Sequence, residues 1–333
     1  MQIPDEEFFA PGEPKAVGKA CNACYEAGRE ALEIAAPGFV GLETRQTLPL
    51  VGYCALSLAS QRRIDPETSA VVVANCLETG EVRAALLFPP PPPPEGPVPE
   101  PGVEEGMTGG SFRADLFAQT GIPRRAGTWA VRVLARDLVS NVVTVRIGGS
   151  AAVFQDPEAD KLVQSSLAQR MPAIRPPLLP GRILPRYREV TAAPALPPGY
   201  EPALAIDLAR SVLLTPEATC LVAGRYRLKP GPREAIPPRK TPEARPTAIL
   251  CISLVLCGSR VAEPVVVRTG IPCWDPLKDG LARGAFAFDL LSLPEAPRLG
   301  QTLFLYAVHG AQTVGPLPVA LVPEEMVRLE GAV

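Results

Sequence analysis

The chain of 333 residues contains one histidine, His309, and that scarcity removes every site built on paired histidines, most zinc hydrolase patterns among them. A general base also needs a positioned nucleophile, and Ala307-Val308-His309-Gly310 offers none, so His309 reads as a solvated or hydrogen-bonded turn residue. No P-loop, no G-x-G-x-x-G after a strand, no G-x-S-x-G and no EF-hand loop occurs, which leaves no motif for a nucleotide, a metal or another cofactor. Charge of one sign is lacking as well: a net charge of -2 and a pI near 5.7 give no field that would draw in nucleic acid or anionic lipid. No apolar run of 18 or more residues is present, and the acidic start Met1-Gln2-Ile3-Pro4-Asp5-Glu6-Glu7 does not have the basic-then-apolar pattern of a secretory signal. The expectation is a soluble, cytoplasmic protein with no membrane or nucleic-acid partner.

Eight cysteines are scattered through apolar, strand-like segments, where in a reducing compartment they behave as small buried hydrophobes. Cys21-Asn22-Ala23-Cys24 has CxxC spacing, but it lacks a second CxxC or a histidine pair for zinc. It also lacks the strand-to-helix setting of a redox motif, so core packing is the expected role.

Proline, in contrast, is abundant: 41 residues, about twice the usual proportion. Because proline is excluded from helix interiors and central strands, the chain must hold long ordered loops, extended edges or both. Six consecutive prolines, Pro89 to Pro94, predict a polyproline II excursion, read as a stiff loop between strands or as a docking motif for an aromatic-lined groove.

Internal repetition is the strongest feature. Gly110-Ser111-Phe112-Arg113-Ala114-Asp115-Leu116 returns as Gly284-Ala285-Phe286-Ala287-Phe288-Asp289-Leu290. Upstream, Leu50-Val51-Gly52-Tyr53-Cys54 resembles Leu221-Val222-Ala223-Gly224-Arg225-Tyr226 with one residue inserted, and Ser69 to Leu77 resembles Thr247 to Val255. Downstream, the strand led by Gly127 lies against the one led by Gly300. The reading is mainly β: two tandem, duplicated β-sandwich domains with a few short helices and long Pro-rich loops. An N-terminal arm and helix would occupy 1–37, the sandwiches 38–150 and 203–323, a helix-containing Pro-rich connector 151–202, and a tail 324–333. Within this scheme Pro14 to Ala36 is predicted helical, and Val71 to Leu77 pairs with Val82 to Phe88 through a hairpin at Glu78-Thr79-Gly80-Glu81. Asp115 and Asp289 occupy matching places at strand ends, where such residues usually bond backbone amides of the next turn.

The strand Gly127-Thr128-Trp129-Ala130-Val131-Arg132-Val133, a short turn and Ser140-Asn141-Val142-Val143-Thr144-Val145 are similar to the last two strands of immunoglobulin-like and fibronectin-like modules. That resemblance implies a binding or scaffolding module rather than a catalyst. The expected function is a non-enzymatic structural component, self-assembling through Pro-rich arms and sheet edges. The alternatives are a protein- or peptide-binding module, or an enzyme of unrecognised type. The residues expected at interfaces with a second copy or another protein are Phe8, Phe9, Pro89, Pro94, Leu178, Leu179, Tyr187 and Trp274.

Overall fold

Gly28 ends the first long helix well before its apolar spacing predicts. In the computed structural model the described residues are 3–64, 70–88, 106–148, 194–258 and 263–323, less gaps at 137, 200, 216, 233, 236–245, 274–276, 294–295 and 297–299. Helix α1 covers Asp5–Phe9 and α2 covers Lys15–Glu26. Gly28 then adopts φ +59°, its N–H donates to Tyr25 O, and the Arg29 N–H donates to Cys24 O, the pair of bonds that closes a helix on a left-handed residue. Beyond it Ala31–Ala35 forms strand β1, so Leu32 and Ile34, expected on the helix face, are buried strand residues instead. Over so few residues a helical and an alternating pattern share the same apolar positions, and the cap decides between them.

The chain is mainly β and divides into two compact units, Met1–Cys76 with Val82–Phe154, and Leu77–Glu81 with Gln155–Val333. Unit 1 contains β1, β2 (Phe39–Gly41), β3 (Pro49–Ser57), helix α3 (Leu58–Ile64), β4 (Ala70–Cys76), β5 (Val82–Leu86) and β6 (Met107–Asp115). Helix α4 (Leu116–Thr120), β7 (Gly127–Ala135), β8 (Leu138–Val139) and β9 (Val143–Gly148) follow. One sheet has the order β1-β3-β6 and the other β2-β9-β7-β4-β5, with β8 added on β7. Strand β2 runs parallel to β9, and the other pairings are antiparallel. Alternate residues of both sheets, including Ile34, Leu50, Phe112, Val72, Trp129, Val131 and Val145, share one buried cluster, as period-two patterning requires. Asn141 ties its loop to β1, accepting from Ile34 N at 2.9 Å and donating to Ile34 O at 3.0 Å.

Among its described residues unit 2 contains β10 (Ala203–Leu208), β11 (Ser211–Leu214), β12 (Leu221–Leu228), β13 (Ala248–Gly258), β14 (Val265–Cys273), β15 (Ala282–Asp289), a 3-10 turn (Leu290–Ser292), β16 (Gln301–His309) and β17 (Gln312–Pro323). Its sheets have the orders β10-β12-β15 and β11-β17-β16-β13-β14. With β8 set aside, the first, third and sixth of the described strands make one sheet in each unit, and the other runs second, eighth, seventh, fourth, fifth. Parallel pairing of β11 with β17 matches that of β2 with β9.

Two local devices occur in both units. In unit 1 Gly52 on β3 lies between Ile34 and Phe112, and in unit 2 Gly224 on β12 lies between Ile206 and Phe286. A Cβ at Gly52 would approach Phe112 Cζ to 2.6 Å, and one at Gly224 would approach Phe286 Cζ to 2.3 Å, so each ring is seated on a missing side chain. The second device is a carboxylate at a strand end. Asp115 Oδ1 accepts from Leu48 N (2.9 Å) and Phe117 N (3.1 Å), and Asp289 Oδ1 accepts from Cys220 N (2.7 Å) and Leu291 N (3.1 Å). Both carboxylates thus bond backbone amides of the following turn and of a neighbouring segment. The hairpin of β4 and β5 pairs Asn75 with Val82, with Gly80 at φ +69° in its turn.

Candidate functional site

Where Cys24 sits follows from the helix that carries it. Apolar residues at Val17, Cys21 and Cys24 recur at helical spacing and are all buried, so α2 lies with that stripe against Val51, Tyr53 and Ala55 of β3. Tyr53 and Cys54 point to opposite faces of the strand: Tyr53 joins the cluster under α2, and Cys54 joins the cluster between the sheets. At the C-terminal end of α2 the chain turns at Gly28 and brings the exposed Arg29 back over the helix. Its Nη2 donates to Cys24 Sγ at 3.4 Å, and the Tyr53 hydroxyl lies 3.5 Å from the same sulfur.

These contacts separate the thiols chemically. Cys24 is held below the ordinary thiol range, first by the hydrogen bond from Tyr53 and next by that from Arg29, against the opposing effect of burial. The Tyr53 phenol is pushed up, chiefly by burial and then by its bond to Cys24, with the Glu33 carboxylate adding to the effect, so the hydroxyl keeps its proton. Cys21, one turn earlier, is raised by burial and by the neighbouring Cys24, and burial pushes Cys54 up to about 11. The site therefore holds one thiolate-favouring sulfur beside a thiol that keeps its proton. None of the eight cysteines is in a disulfide.

A second polar cluster surrounds His309, the last residue of β16. Its Nε2 is 3.0 Å from Glu234 Oε2, and both side chains are buried, at 8% and 7% exposure. Glu234 also accepts from Gly231 N at 2.7 Å and, through Oε1, from Cys251 N at 2.6 Å. Backbone bonds from Glu234 N to Gly231 O and from Ile249 N to Glu234 O complete the attachment. A carboxylate with three donors fastens the segment around Gly231–Ala235 to β13 and β16. His309 is thus hydrogen-bonded and buried rather than solvated. Glu234 carried no sequence signal, because it lies in a Pro-rich, charged insertion 75 positions from its imidazole partner.

Of the expected interface residues, Phe8 is 3% exposed and packs with Val17, Cys21, Cys24 and Tyr53 inside its own unit. Phe9 is half-buried under the Arg45 guanidinium, which lies 4.0 Å from the ring centroid. Arg113 donates to the carbonyls of Phe8, Ala10 and Gly12. Three bonds from one guanidinium and a buried aromatic anchor fasten residues 3–14 to the unit 1 fold. Pro89, Pro94, Leu178, Leu179, Tyr187 and Trp274, together with the connector over 151–193 and the tail over 324–333, lie outside the described residues. Arg132 on β7, 1% exposed, is a buried group with no sequence signal; burial lowers its pKa to about 10, which leaves it a cation at neutral pH.

Among the described residues no group of three or more His, Cys, Asp or Glu could hold a metal ion, and no helix is long and apolar enough to cross a membrane. No family model matches the chain, and no curated protein matches it.

Proposed function

We propose that the chain is two tandem copies of one immunoglobulin-like β-sandwich and works as a non-enzymatic scaffold that associates with copies of itself through a sheet edge. Three features support the duplicated sandwich: the strand order common to the units, the Ile-Gly-Phe row across three strands of each, and the aspartate that closes each sixth strand. Fold alone names no activity. The observation that carries the functional half is the edge strand β6. It pairs with β3 on one side only among the described strands, and Gly109, Gly110 and Ser111 are exposed in its first half.

Such a stretch presents backbone donors and acceptors with no bulky or charged side chain to guard them, the arrangement that accepts an added strand. Glycine at 109 is demanded internally, since its φ is +135° and a Cβ there would come within 1.9 Å of Cys54 O. Glycine at 110 has no such constraint, as a Cβ would meet nothing within 4 Å. Its smallness is therefore free to serve the edge. The test is light scattering across a concentration series for the full chain and for Gly110→Lys, which sets a charge on the edge without an internal clash. The native chain is expected to grow in mass with concentration, and the variant to stay at monomer mass with an unchanged melting temperature. A native chain that remains monomeric at its highest soluble concentration, or a variant that associates as strongly as the native chain, overturns the reading.

A further inference from the structure

The cluster under α2 has chemistry that a scaffold does not require. Cys21 and Cys24 are three residues apart on one helix face, and in an α-helix residues so spaced have Cα atoms about 5 Å apart. That separation falls inside the range of about 4.4–6.8 Å that a disulfide spans. The Cβ atoms of such a pair lie about 5–6 Å apart and a disulfide holds them at about 3.5–4.5 Å, so a bond between the two sulfurs also requires a small backbone shift in the last turns of α2. We propose that Cys21 and Cys24 form a peroxide-responsive dithiol, with Cys24 as the sulfur that attacks and Cys21 as the sulfur that resolves.

The roles follow from the neighbours. Arg29 donates to Cys24 Sγ and the Tyr53 hydroxyl is hydrogen-bonded to the same sulfur, an arrangement that stabilises the anion there. Among the described residues no such donor reaches Cys21, and burial first, then the neighbouring Cys24, raises its pKa and keeps its proton on. In the first step the Cys24 thiolate attacks an oxygen of a hydroperoxide: an S–O bond forms, the O–O bond breaks, and the leaving alkoxide or hydroxide takes a proton from solvent. Sulfur is oxidised by two electrons to the sulfenic acid and the peroxide is reduced to alcohol or water. In the second step Cys21 attacks Cys24 Sγ; the S–S bond forms, the S–O bond breaks, and the departing hydroxide takes the Cys21 proton and leaves as water. Two thiols and one hydroperoxide thus give one disulfide, one alcohol or water, and one further water. Cys24 is 1% exposed, so the oxidant must be small, and Arg29 is the exposed residue that touches the sulfur.

The sequence supplies a direct readout. Trypsin cleavage after Lys19 and Arg29 releases Ala20 to Arg29, which contains Cys21 and Cys24 and no other cysteine. Exposure of the folded full chain to hydrogen peroxide, followed by blocking of residual thiols and peptide mass mapping, is expected to show this peptide lighter by two hydrogens while the other six cysteines stay blockable. With Cys21→Ser the expected product is a sulfenic acid on Cys24, captured by dimedone. Arg29→Ala is expected to slow the reaction several-fold and Arg29→Lys to retain most of the rate, since the lysine keeps the charge. A peptide that stays reduced while another cysteine oxidises overturns the proposal, as does Cys21→Ser protein that yields no trapped Cys24. An Arg29→Ala variant that reacts faster than the native chain would make the guanidinium a cover only and would overturn the assigned chemistry. Because the native chain gives the primary result, a variant that fails to fold does not decide the matter.

Discussion

Replacing Gly52 by alanine tests the frame of unit 1 at its tightest point. The added Cβ would lie 2.4 Å from Glu33 O, 2.6 Å from Phe112 Cζ and 3.1 Å from Ile34 Cγ2, and real Cβ contacts essentially never fall below 3.0 Å. Two of these neighbours differ in how they can yield: the ring can tilt, but the Glu33 carbonyl belongs to β1, which would have to separate from β3. Overpacking in a core costs about 1–3 kcal/mol, and a backbone contact that no rotamer relieves places this change near 3 kcal/mol. For a unit of this size that corresponds to a fall in melting temperature of roughly 6–12 °C. The assay is urea unfolding followed by tryptophan fluorescence in a Trp274→Phe background, where the fully buried Trp129 is the one remaining tryptophan and reports on unit 1. Adding Phe112→Leu should return only part of the loss, because the carbonyl contact persists. In unit 2 the balance is reversed, since a Cβ at Gly224 meets Phe286 Cζ at 2.3 Å but Ala205 O at 2.8 Å. Phe286→Leu should therefore rescue Gly224→Ala more fully than Phe112→Leu rescues Gly52→Ala. A Gly52→Ala protein within about 0.5 kcal/mol of the native chain, the scatter of ordinary surface changes, would refute the close-approach argument, and equal rescue in the two units would refute its division between ring and carbonyl.

Two more outcomes follow from bonds and charges. Asp115→Ala and Asp289→Ala each remove an acceptor from two backbone N–H groups. Each should destabilise its own unit by about 1–2 kcal/mol in chemical denaturation, and an unchanged midpoint in either would show the carboxylate to be dispensable. Alkali should weaken unit 2 through Cys220, whose thiol is raised to about 12 by burial and secondarily by Asp289. The unfolded thiol ionises near 8.5, so above that pH the folded state binds more protons than the unfolded one, and stability, fully present below about pH 8.5, falls as pH climbs toward 12. Urea midpoints between pH 8 and 11 should decline less steeply for Cys220→Ala than for the native chain, and parallel slopes would refute the assignment.

The sequence patterns that proved readable are the short-range ones. Alternation located most strands, and the motif shared around Phe112 and Phe286 placed both phenylalanines on strands that face a glycine. Residue-by-residue register was not readable from glycine punctuation. Counting forward from Gly127 and Gly300 sets Trp129 against Thr302, yet Trp129 is buried and Thr302 exposed, and the inward residue is Leu303, paired with Val319 as Trp129 is with Val145. A one-residue slip exchanges the faces of a strand, so a glycine that merely opens a strand cannot fix what the core fixes. The one residue inserted in the match of Leu50-Val51-Gly52 with Leu221-Val222-Ala223-Gly224 is a slip of the same kind. Counted from Gly52 and Gly224 no insertion is needed, and Tyr53 lies under α2 while Tyr226 lies in the core between its sheets.

The polar clusters mark where reading along the chain stops. CxxC spacing alone dictates that Cys21 and Cys24 share a helix face, whatever that face meets. What distinguishes the two sulfurs comes from elsewhere: the Tyr53 hydroxyl arrives from a strand 29 positions away, and Arg29 reaches back only because Gly28 turns the chain at φ +59°. Had α2 continued to Ala36, as its apolar spacing predicts, Arg29 would follow Cys24 by five positions, off the i+3 and i+4 places where helical side chains meet. The turn that contradicts the predicted helix is thus also what carries a cation onto the sulfur. A Gly28→Ala change, forced to strain at a positive φ, would for that reason disturb the thiol as well as the helix end.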